Sequence, residues 1–329
     1  MVTDTGVSLA AIEDAAARLQ SVAVRTPLLV SAELDEAVGG KVFVKPECLQ
    51  RTGSFKIRGA YNLMSRLDAT RAARGVVAWS SGNHAQGVAA AGALLGIRTA
   101  IVMPQDSPAI KLERTRAYGG ETILYDRYSG DREAIARQLA AQRGAELVPS
   151  YDHPDIIAGQ GTVGLEIVEQ ATERNERPDQ VLICCGGGGL SAGSATAIKA
   201  CWPDCDVYIV EPQEFDDTAR SLQAGVRVSN AAEARSFCDA LQASTPGAMT
   251  FPINQRLLSG GLQVSDVEVG AAMRFAFQNL KLVTEPGGAV ALAAALAGKI
   301  DMRGKTSVVV ISGGNVDRAL FAEVMQEQA

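Results

Sequence analysis

From about residue 40 onward the chain alternates short, apolar, β-branched runs with Ala-rich stretches of helical spacing, and this alternation is the strongest constraint on its fold. The runs KVFVK (41–45), GVVAW (75–79), TAIVM (99–103), ETILY (121–125), QVLICC (180–185), DVYIVE (206–211) and TSVVVIS (306–312) read as strands. Stretches such as AQGVAAAGALLG and DREAIARQLAAQRG read as helices. That order predicts an α/β fold with mostly parallel sheets. Such sheets take ligands beyond the carboxyl ends of their strands, so the loops after these runs are where chemistry is expected. The segment STPGAMTFPINQRLLSGG (244–261) has no clear period and is expected to be a loop with short turns. The N-terminal stretch reads as a first helix capped by Ser8, with acids where a secretory leader would carry basic residues.

Composition narrows the partners. The net charge is −6, with 31 Lys+Arg and 37 Asp+Glu mixed along the 329 residues and no basic stripe, so no nucleic acid is expected. The longest apolar runs, near 87–97 and 288–298, are too short to span a bilayer, so no membrane is expected either. Six cysteines without CxxC spacing and only two histidines, His84 and His153, exclude a His-rich metal site and point to a reducing, cytoplasmic setting.

Three glycine-rich loops follow strand-like runs. Gly186, Gly187, Gly188 and Gly189, then Leu190, separate VLICC from a helix-like stretch. Backbone N–H groups unshielded by Cβ atoms at a helix start suit a phosphate. The alternative is a tight turn, for which four consecutive glycines are conformationally expensive. Gly187-x-Gly189-x-x-Ala192 also fits a dinucleotide fingerprint, with Glu211 at the end of the next strand as the ribose ligand, so a nicotinamide dehydrogenase is the rival from a different class. The second loop, Ser80-Ser81-Gly82-Asn83-His84-Ala85-Gln86-Gly87, offers hydroxyls, an amide, an imidazole and free N–H groups that suit a carboxylate, or equally a capped helix. The third, Ser312-Gly313-Gly314-Asn315, is expected at the same sheet edge.

One cation stands apart from these loops. The chain has 8 lysines against 23 arginines, and Lys56 lies between Phe55 and Ile57 at a predicted helix start. Most lysines are solvated surface charges. A desolvated one loses its proton more easily and becomes a nucleophile for carbonyl carbon. A nucleophilic lysine, a phosphate cradle and a carboxylate loop together suggest pyridoxal phosphate acting on an amino acid.

The runs Ser54-Phe55-Lys56-Ile57-Arg58-Gly59-Ala60, Ser80-Ser81-Gly82-Asn83-His84, 186–190, Glu285-Pro286 with Gly288-Ala289, and Ser312-Gly313-Gly314-Asn315 resemble the serine/threonine dehydratase–serine racemase family of fold-type II pyridoxal-phosphate enzymes. The resemblance implies a fold like that of the tryptophan synthase β chain, with two open α/β lobes and the cofactor in the cleft between them. It assigns 1–71 and 151–329 to the larger lobe and 72–150 to a small one that closes over the cleft. The chain ends soon after the Ser312 loop, so no C-terminal regulatory domain is expected.

By the same resemblance, Lys56 holds the cofactor and removes the substrate α-proton, Phe55 packs beside the cofactor ring, and Asn83 bonds its 3′-oxygen. The amides of Gly186, Gly187, Gly188, Gly189 and Leu190 hold the phosphate, and Ser312 faces the pyridine nitrogen. Ser81, Asn83, His84 and Ala85 receive the substrate carboxylate. Glu211, the Phe215 carbonyl and Asp217 are the implied ligands of Mg²⁺, Ca²⁺ or a monovalent cation, although the same residues read as a charged loop after a strand. The implied reaction is elimination of water from a 3-hydroxy amino acid, giving a 2-oxo acid and ammonia, by a homodimer. Serine racemase is the rival with the same cofactor, Ser81 serving as its second base. Trp79 and Arg132 read as core and surface residues. If they face the substrate instead, phenylserine or 3-hydroxyaspartate joins threonine and serine as a candidate.

Overall fold

The computed structural model describes residues 6–80, 82–107, 109–126 and 130–326. Its strands are β1 (Lys41–Pro46), β2 (Val76–Trp79), β3 (Thr99–Pro104), β4 (Glu121–Tyr125), β5 (Glu146–Leu147), β6 (Gln180–Cys184), β7 (Asp206–Pro212), β8 (Gly260–Val264) and β9 (Thr306–Ile311). The first helices are α1 (Leu9–Leu19), α2 (Ala32–Val38), α3 (Lys56–Met64), α4 (Ala69–Arg74), α5 (Asn83–Leu95), α6 (Ala109–Ala117) and α7 (Arg132–Arg143). They are followed by α8 (Pro154–Thr172), α9 (Gly189–Cys201), α10 (Asp217–Ala224), α11 (Thr250–Leu257), α12 (Asp266–Phe275), α13 (Pro286–Leu296) and α14 (Arg318–Gln326).

The strands form two parallel sheets, in the orders β1-β9-β6-β7-β8 and β4-β3-β2-β5. Parallel strands need helical crossovers that cover both faces, which is why β6 and most of β9 are continuous apolar runs, buried on both faces. In the second sheet the faces separate with period two. Val76, Ala78, Ile101 and Met103 pack with α3 and α5, while Val77, Ala100 and Val102 pack with Ala136 and Ala140 of α7. Helix α13 is buried along nearly its whole length, as its all-round apolar sequence requires.

The strand order positions the chemistry. In the first sheet the chain runs from β6 through β7 to β8 on one side and then returns to place β9 on the other, between β6 and the earlier β1, so the order reverses between β6 and β9. In the second, β2 is flanked by β3 and β5 in the same way. A crevice opens beyond the carboxyl ends at such points. The loops delivered there include residues 185–188 and 312–317, with Ser80 and Gly82 before α5.

All seven runs read as strands in the sequence form strands, and Ser8 caps α1, its Oγ accepting from the Ala11 N–H. The expectation for 244–261 is corrected: this segment contains α11 and the start of β8. Pro252 in the first turn of α11 is compatible with a helix, and the helix start is capped from a distant segment, where the Asp152 carboxylate accepts from the N–H groups of Ala248, Met249 and Thr250. Strand β8 is an edge strand beginning Gly-Gly in which only Val264 is fully buried, so it has no apolar signature.

A buried ionic cluster ties β1, α3 and α8 together. Arg58 donates to Glu47 from Nε (2.8 Å) and to Glu166 from Nη1 (2.6 Å), and Lys45 Nζ donates to Glu166 (2.6 Å), Gln170 (2.9 Å) and the Thr26 carbonyl (2.6 Å). Glu47 also accepts from the Thr26 hydroxyl. Removing one partner leaves a buried, uncompensated charge, which costs roughly 3–5 kcal/mol. The Arg58→Met protein is therefore expected to unfold at a clearly lower temperature than the parent. An unchanged thermal midpoint would show that the cluster is energetically neutral.

Candidate active site

Lys56 opens α3, and the preceding loop is fixed to the loop after β9: Ser54 and Gly313 form an isolated antiparallel bridge, and the Phe55 N–H donates to the Ser312 carbonyl (3.2 Å). Lys56 Nζ donates to the Ser150 carbonyl (2.9 Å) and stands 5.0 Å from the centre of the Phe55 ring. Among the described residues it has no ion-pair partner. Burial pushes its amine down to about 8, only partly opposed by Cys184 and Glu285. Lys56 lines a cavity of about 700 Å³ together with Asn83, His84, residues 186–190 and Ser312. The structure thus brings the predicted residues of four separate segments to one cleft.

Two anion cradles face that cleft. Among the described residues, the backbone N–H groups of Gly186, Gly187, Gly188, Gly189 and Leu190 find no acceptor within the chain. Gly188 adopts φ +91°, a left-handed conformation that glycine accepts without a steric penalty, and α9 begins immediately after it. A Cβ on Gly187 would stand 2.4 Å from the Tyr151 ring, so only glycine fits there. The carbonyls of Gly187 and Gly188 are held from behind by Thr250 and Asn254 of α11. At the start of α5, the N–H groups of Asn83, His84 and Ala85 are likewise unpaired. Free amides at a helix start attract an anion.

The side chains around the second cradle are specific. His84 Nε2 lies 2.9 Å from the Val148 carbonyl, so this nitrogen carries the proton and Nδ1, buried without a partner, is left with a lone pair. Burial, and then the nearby Lys56 charge, push the imidazole down to about 3, so it stays neutral. His84 therefore offers a carboxylate its backbone amide rather than its ring. Asn83 bonds the Glu285 carboxyl and accepts from Asn315 Nδ2 (2.8 Å). Glu285 is pushed up to about 7 by burial. Lys111 of α6 pairs with Asp239 across the cavity wall. Burial alone would lower Lys111, but Glu285 and Asp239 outweigh it and raise it. Ser312 stands beside the Cys184 thiol, which burial pushes up to about 11. Ser81 lies outside the described residues.

The residues predicted to bind a cation sit elsewhere, behind β7. Glu211 is fully buried, and its carboxyl accepts from the N–H groups of Thr218 (3.2 Å) and Ala219 (2.8 Å). Burial, and then Asp217, push it well above the usual carboxyl range, while burial pushes Asp217 up to about 6. Asp217 Oδ2 is buried without a partner. The Asp217 oxygen is of the hard type that Mg²⁺ or Ca²⁺ takes, but both Glu211 oxygens already accept backbone N–H groups, and among the described residues no group of three or more His, Cys, Asp or Glu side chains stands together. Glu211 in this position is turned into the first turn of α10 and cannot serve as a ribose ligand, which removes the main support of the dinucleotide reading. Trp79 and Arg132 both line the cavity; Trp79 is half-buried rather than core, and Arg132 is an exposed residue of the first turn of α7 at the cavity's rim.

Sequence reasoning missed Ser150, Tyr151, Asp152, Thr250 and Asn254. The one local signal was Thr-Phe-Pro at 250–252, a proline placed as in the first turn of a helix.

Residues 19–313 match the family described as pyridoxal-phosphate dependent enzyme. The chain is 46% identical over 312 residues to an L-threo-3-hydroxyaspartate ammonia-lyase of Pseudomonas sp., an alignment covering 95% of this chain and 96% of that one. Among solved structures it is similar to a threonine deaminase of T.th., with TM-score 0.88 and 42% identity over 94% of this chain and 99% of that one. It is also similar to maize serine racemase, with TM-score 0.91 and 37% identity over 97% of each chain.

The depressed Lys56 has a direct readout. A lysine lowered from the ordinary value of 10.5 to about 8 gains its neutral, nucleophilic form as the pH rises through 8. Labelling of Lys56 by a small aldehyde with reductive trapping, followed by peptide mass spectrometry, is expected to show an inflection near pH 8. An inflection above pH 10 would mean that the amine is solvated.

Proposed function

The chain belongs to the family of pyridoxal-phosphate dependent enzymes, and from that premise we propose that it removes water from 3-hydroxy amino acids, releasing a 2-oxo acid and ammonia. The observation that carries this reading is the partly buried Lys56 amine, without an ion-pair partner among the described residues, in one cavity with five free amides at 186–190 and three more at the start of α5. These groups fit the cofactor: a phosphate for the first cradle, a carbonyl carbon for Lys56, and the substrate carboxylate for the second cradle.

When bound, pyridoxal phosphate supplies a conjugated ring that accepts the electron pair of the broken Cα–H bond. The chain does the rest. The amides of residues 186–190 hold the phosphate and fix the ring's position, with Phe55 beside it and Ser312 at its nitrogen. The amides of Asn83, His84 and Ala85, with Ser81, orient the substrate carboxylate so that its Cα–H points at Lys56 Nζ. Lys56 takes that proton, the β-hydroxyl departs with the electron pair so released, and one proton returned to it makes the leaving group water, so that H from Cα and OH from Cβ are lost in balance. The enamine so formed tautomerises and is hydrolysed, consuming one water and releasing ammonia. Residues 72–150 are proposed to close over the cleft as a small lobe and exclude water during these steps. The proposed assembly is a homodimer in a reducing cytoplasm, the latter supported by six free cysteines.

Among 3-hydroxy amino acids, 3-hydroxyaspartate is the favoured substrate. The relative of Pseudomonas sp. is an L-threo-3-hydroxyaspartate ammonia-lyase, and Arg132, Arg137 and Arg227 line this cavity, where a second carboxylate would meet them. Incubation with pyridoxal phosphate is expected to give a visible absorption band that Lys56→Ala abolishes, and 3-hydroxyaspartate is expected to yield ammonia faster than L-threonine, L-serine or phenylserine. A protein that stays colourless would sink the reading, and L-threonine as the best substrate would sink the preference for a dianion. Formation of D-serine from L-serine, lost in Ser81→Ala while elimination persists, would favour the racemase reading.

Glu211, the Phe215 carbonyl and Asp217 are proposed to hold Mg²⁺, Ca²⁺ or a monovalent cation. Without it the raised Asp217 is a liability: the folded state keeps a proton that the unfolded state loses, so stability falls as the pH rises from about 4 to 6. Exhaustive chelation and desalting at neutral pH is expected to lower the thermal midpoint, with recovery on returning the bound cation. No change in either direction would leave these residues as a charged loop.

A further inference from the structure

The free amides at 186–190 do not point into the cavity by themselves. A trans peptide directs its C=O and the following N–H to opposite sides, so whatever fixes a carbonyl also aims the next N–H. Thr250 Oγ1 donates to the Gly187 carbonyl at 2.6 Å, and the Gly247 N–H reaches the same oxygen at 3.2 Å. One turn further along α11, Asn254 Nδ2 donates to the Gly188 carbonyl at 3.3 Å, an oxygen already used by the Ser191 hydroxyl and the Ala192 N–H of α9. Thr250 and Asn254 are both fully buried, and at a spacing of four residues they present one face of the helix to the loop. They crowd the space that a Cβ on Gly188 would need, with Asn254 Nδ2 at 2.7 Å and Thr250 Oγ1 at 2.9 Å. The helix that carries them is itself anchored by Asp152 through three N–H groups, and Asp152 follows Tyr151, whose ring lies against Gly187.

We propose that Thr250, supported by Asn254, is a positioning residue of the phosphate cradle: by holding the Gly187 carbonyl away from the cavity it aims the Gly188 N–H at the phosphate. This rests on the reading of residues 186–190 as a phosphate site. Four glycines in a row have no side chains to restrict them, and Thr250 is the one side chain among the described residues that donates to the Gly187 carbonyl. Thr250 touches neither phosphate nor substrate and acts through the loop alone.

The test compares two ligands that differ only in the phosphate. Apo-protein is titrated with pyridoxal phosphate and with pyridoxal, following the visible band, for the parent, Thr250→Val and Thr250→Ser, with thermal midpoints recorded alongside. Valine keeps the shape of threonine and removes the donor. It is expected to weaken pyridoxal phosphate on the order of tenfold, to leave pyridoxal unchanged, and to be rescued by serine. Equal weakening of both ligands, or an unchanged affinity for pyridoxal phosphate, would overturn the proposal and make Thr250 a structural residue. A parent protein that takes up no pyridoxal phosphate overturns the proposed function instead. Inorganic phosphate, titrated by calorimetry, then decides the inference separately: weaker binding in Thr250→Val with rescue by serine supports it, and equal binding in all three proteins defeats it.

Discussion

Four ionisable side chains behind the cleft, the buried Lys45, Glu47 and Arg58 and the partly buried Glu166, are the constraint from which the rest of the site follows. Two cations and two carboxylates in a dry interior are tolerable only in mutual contact, so the end of β1, the first turns of α3 and the middle of α8 have little freedom to shift against one another. Lys56 and Arg58 are two residues apart on that same stretch of α3, Arg58 fully buried and Lys56 partly open to the cavity, and their environments act in opposite directions. Arg58 meets Glu47 and Glu166 and is raised despite burial, whereas Lys56 meets a carbonyl and an aromatic face and is lowered. Burial lowers both; the difference is the neighbouring carboxylates. A structural cation and a reactive amine are thereby made from nearby positions of one helix.

The second constraint is topological. Each parallel sheet reverses its strand order once, and the loops delivered there begin α9 and α5. Their free N–H ends meet in one cavity with Lys56, so the partial positive charge of two helix starts is directed into the cleft even though the chain carries net charge −6. The carboxyls that do reach the neighbourhood are neutralised or occupied. Glu285 is raised to about 7 and bonds Asn83, and Asp239 pairs with Lys111. An anionic ligand therefore meets little opposition.

This division explains what could be read in advance. Strands buried on both faces announce themselves as apolar runs, and loops of glycine announce close backbone approach, so the sheets, the 186–190 loop and Lys56 were legible from residue types. The edge strand β8 and the two-residue β5 carry no such signal, because little of either is buried. The start of α11 is satisfied by Asp152, 98 residues before Thr250, and Thr250 meets Gly187 across 63 residues of chain. Such pairings exist only after folding. The ionisation of Glu285 and the neutral tautomer of His84 belong to the same class, since both depend on burial that no local pattern records.

Ser312 connects these points to the choice of reaction. A hydroxyl at the pyridine nitrogen does not keep that nitrogen protonated as a carboxylate would, and its neighbour Cys184, raised to about 11, remains a neutral thiol. On the proposed reading, the ring is then a modest electron sink, and charge left at Cα by proton removal is not held for long. A β-hydroxyl offers an immediate outlet, since its departure consumes the same electron pair. Reactions that require the pair to wait, such as transamination, are disfavoured by this choice of residue, and elimination is favoured. Racemisation lies between the two, because reprotonation on the opposite face must compete with loss of the hydroxyl. The balance then depends on how readily a second acid reaches Cα relative to how well the leaving group is aligned, a contest between residues at the two faces of one ring rather than between two folds.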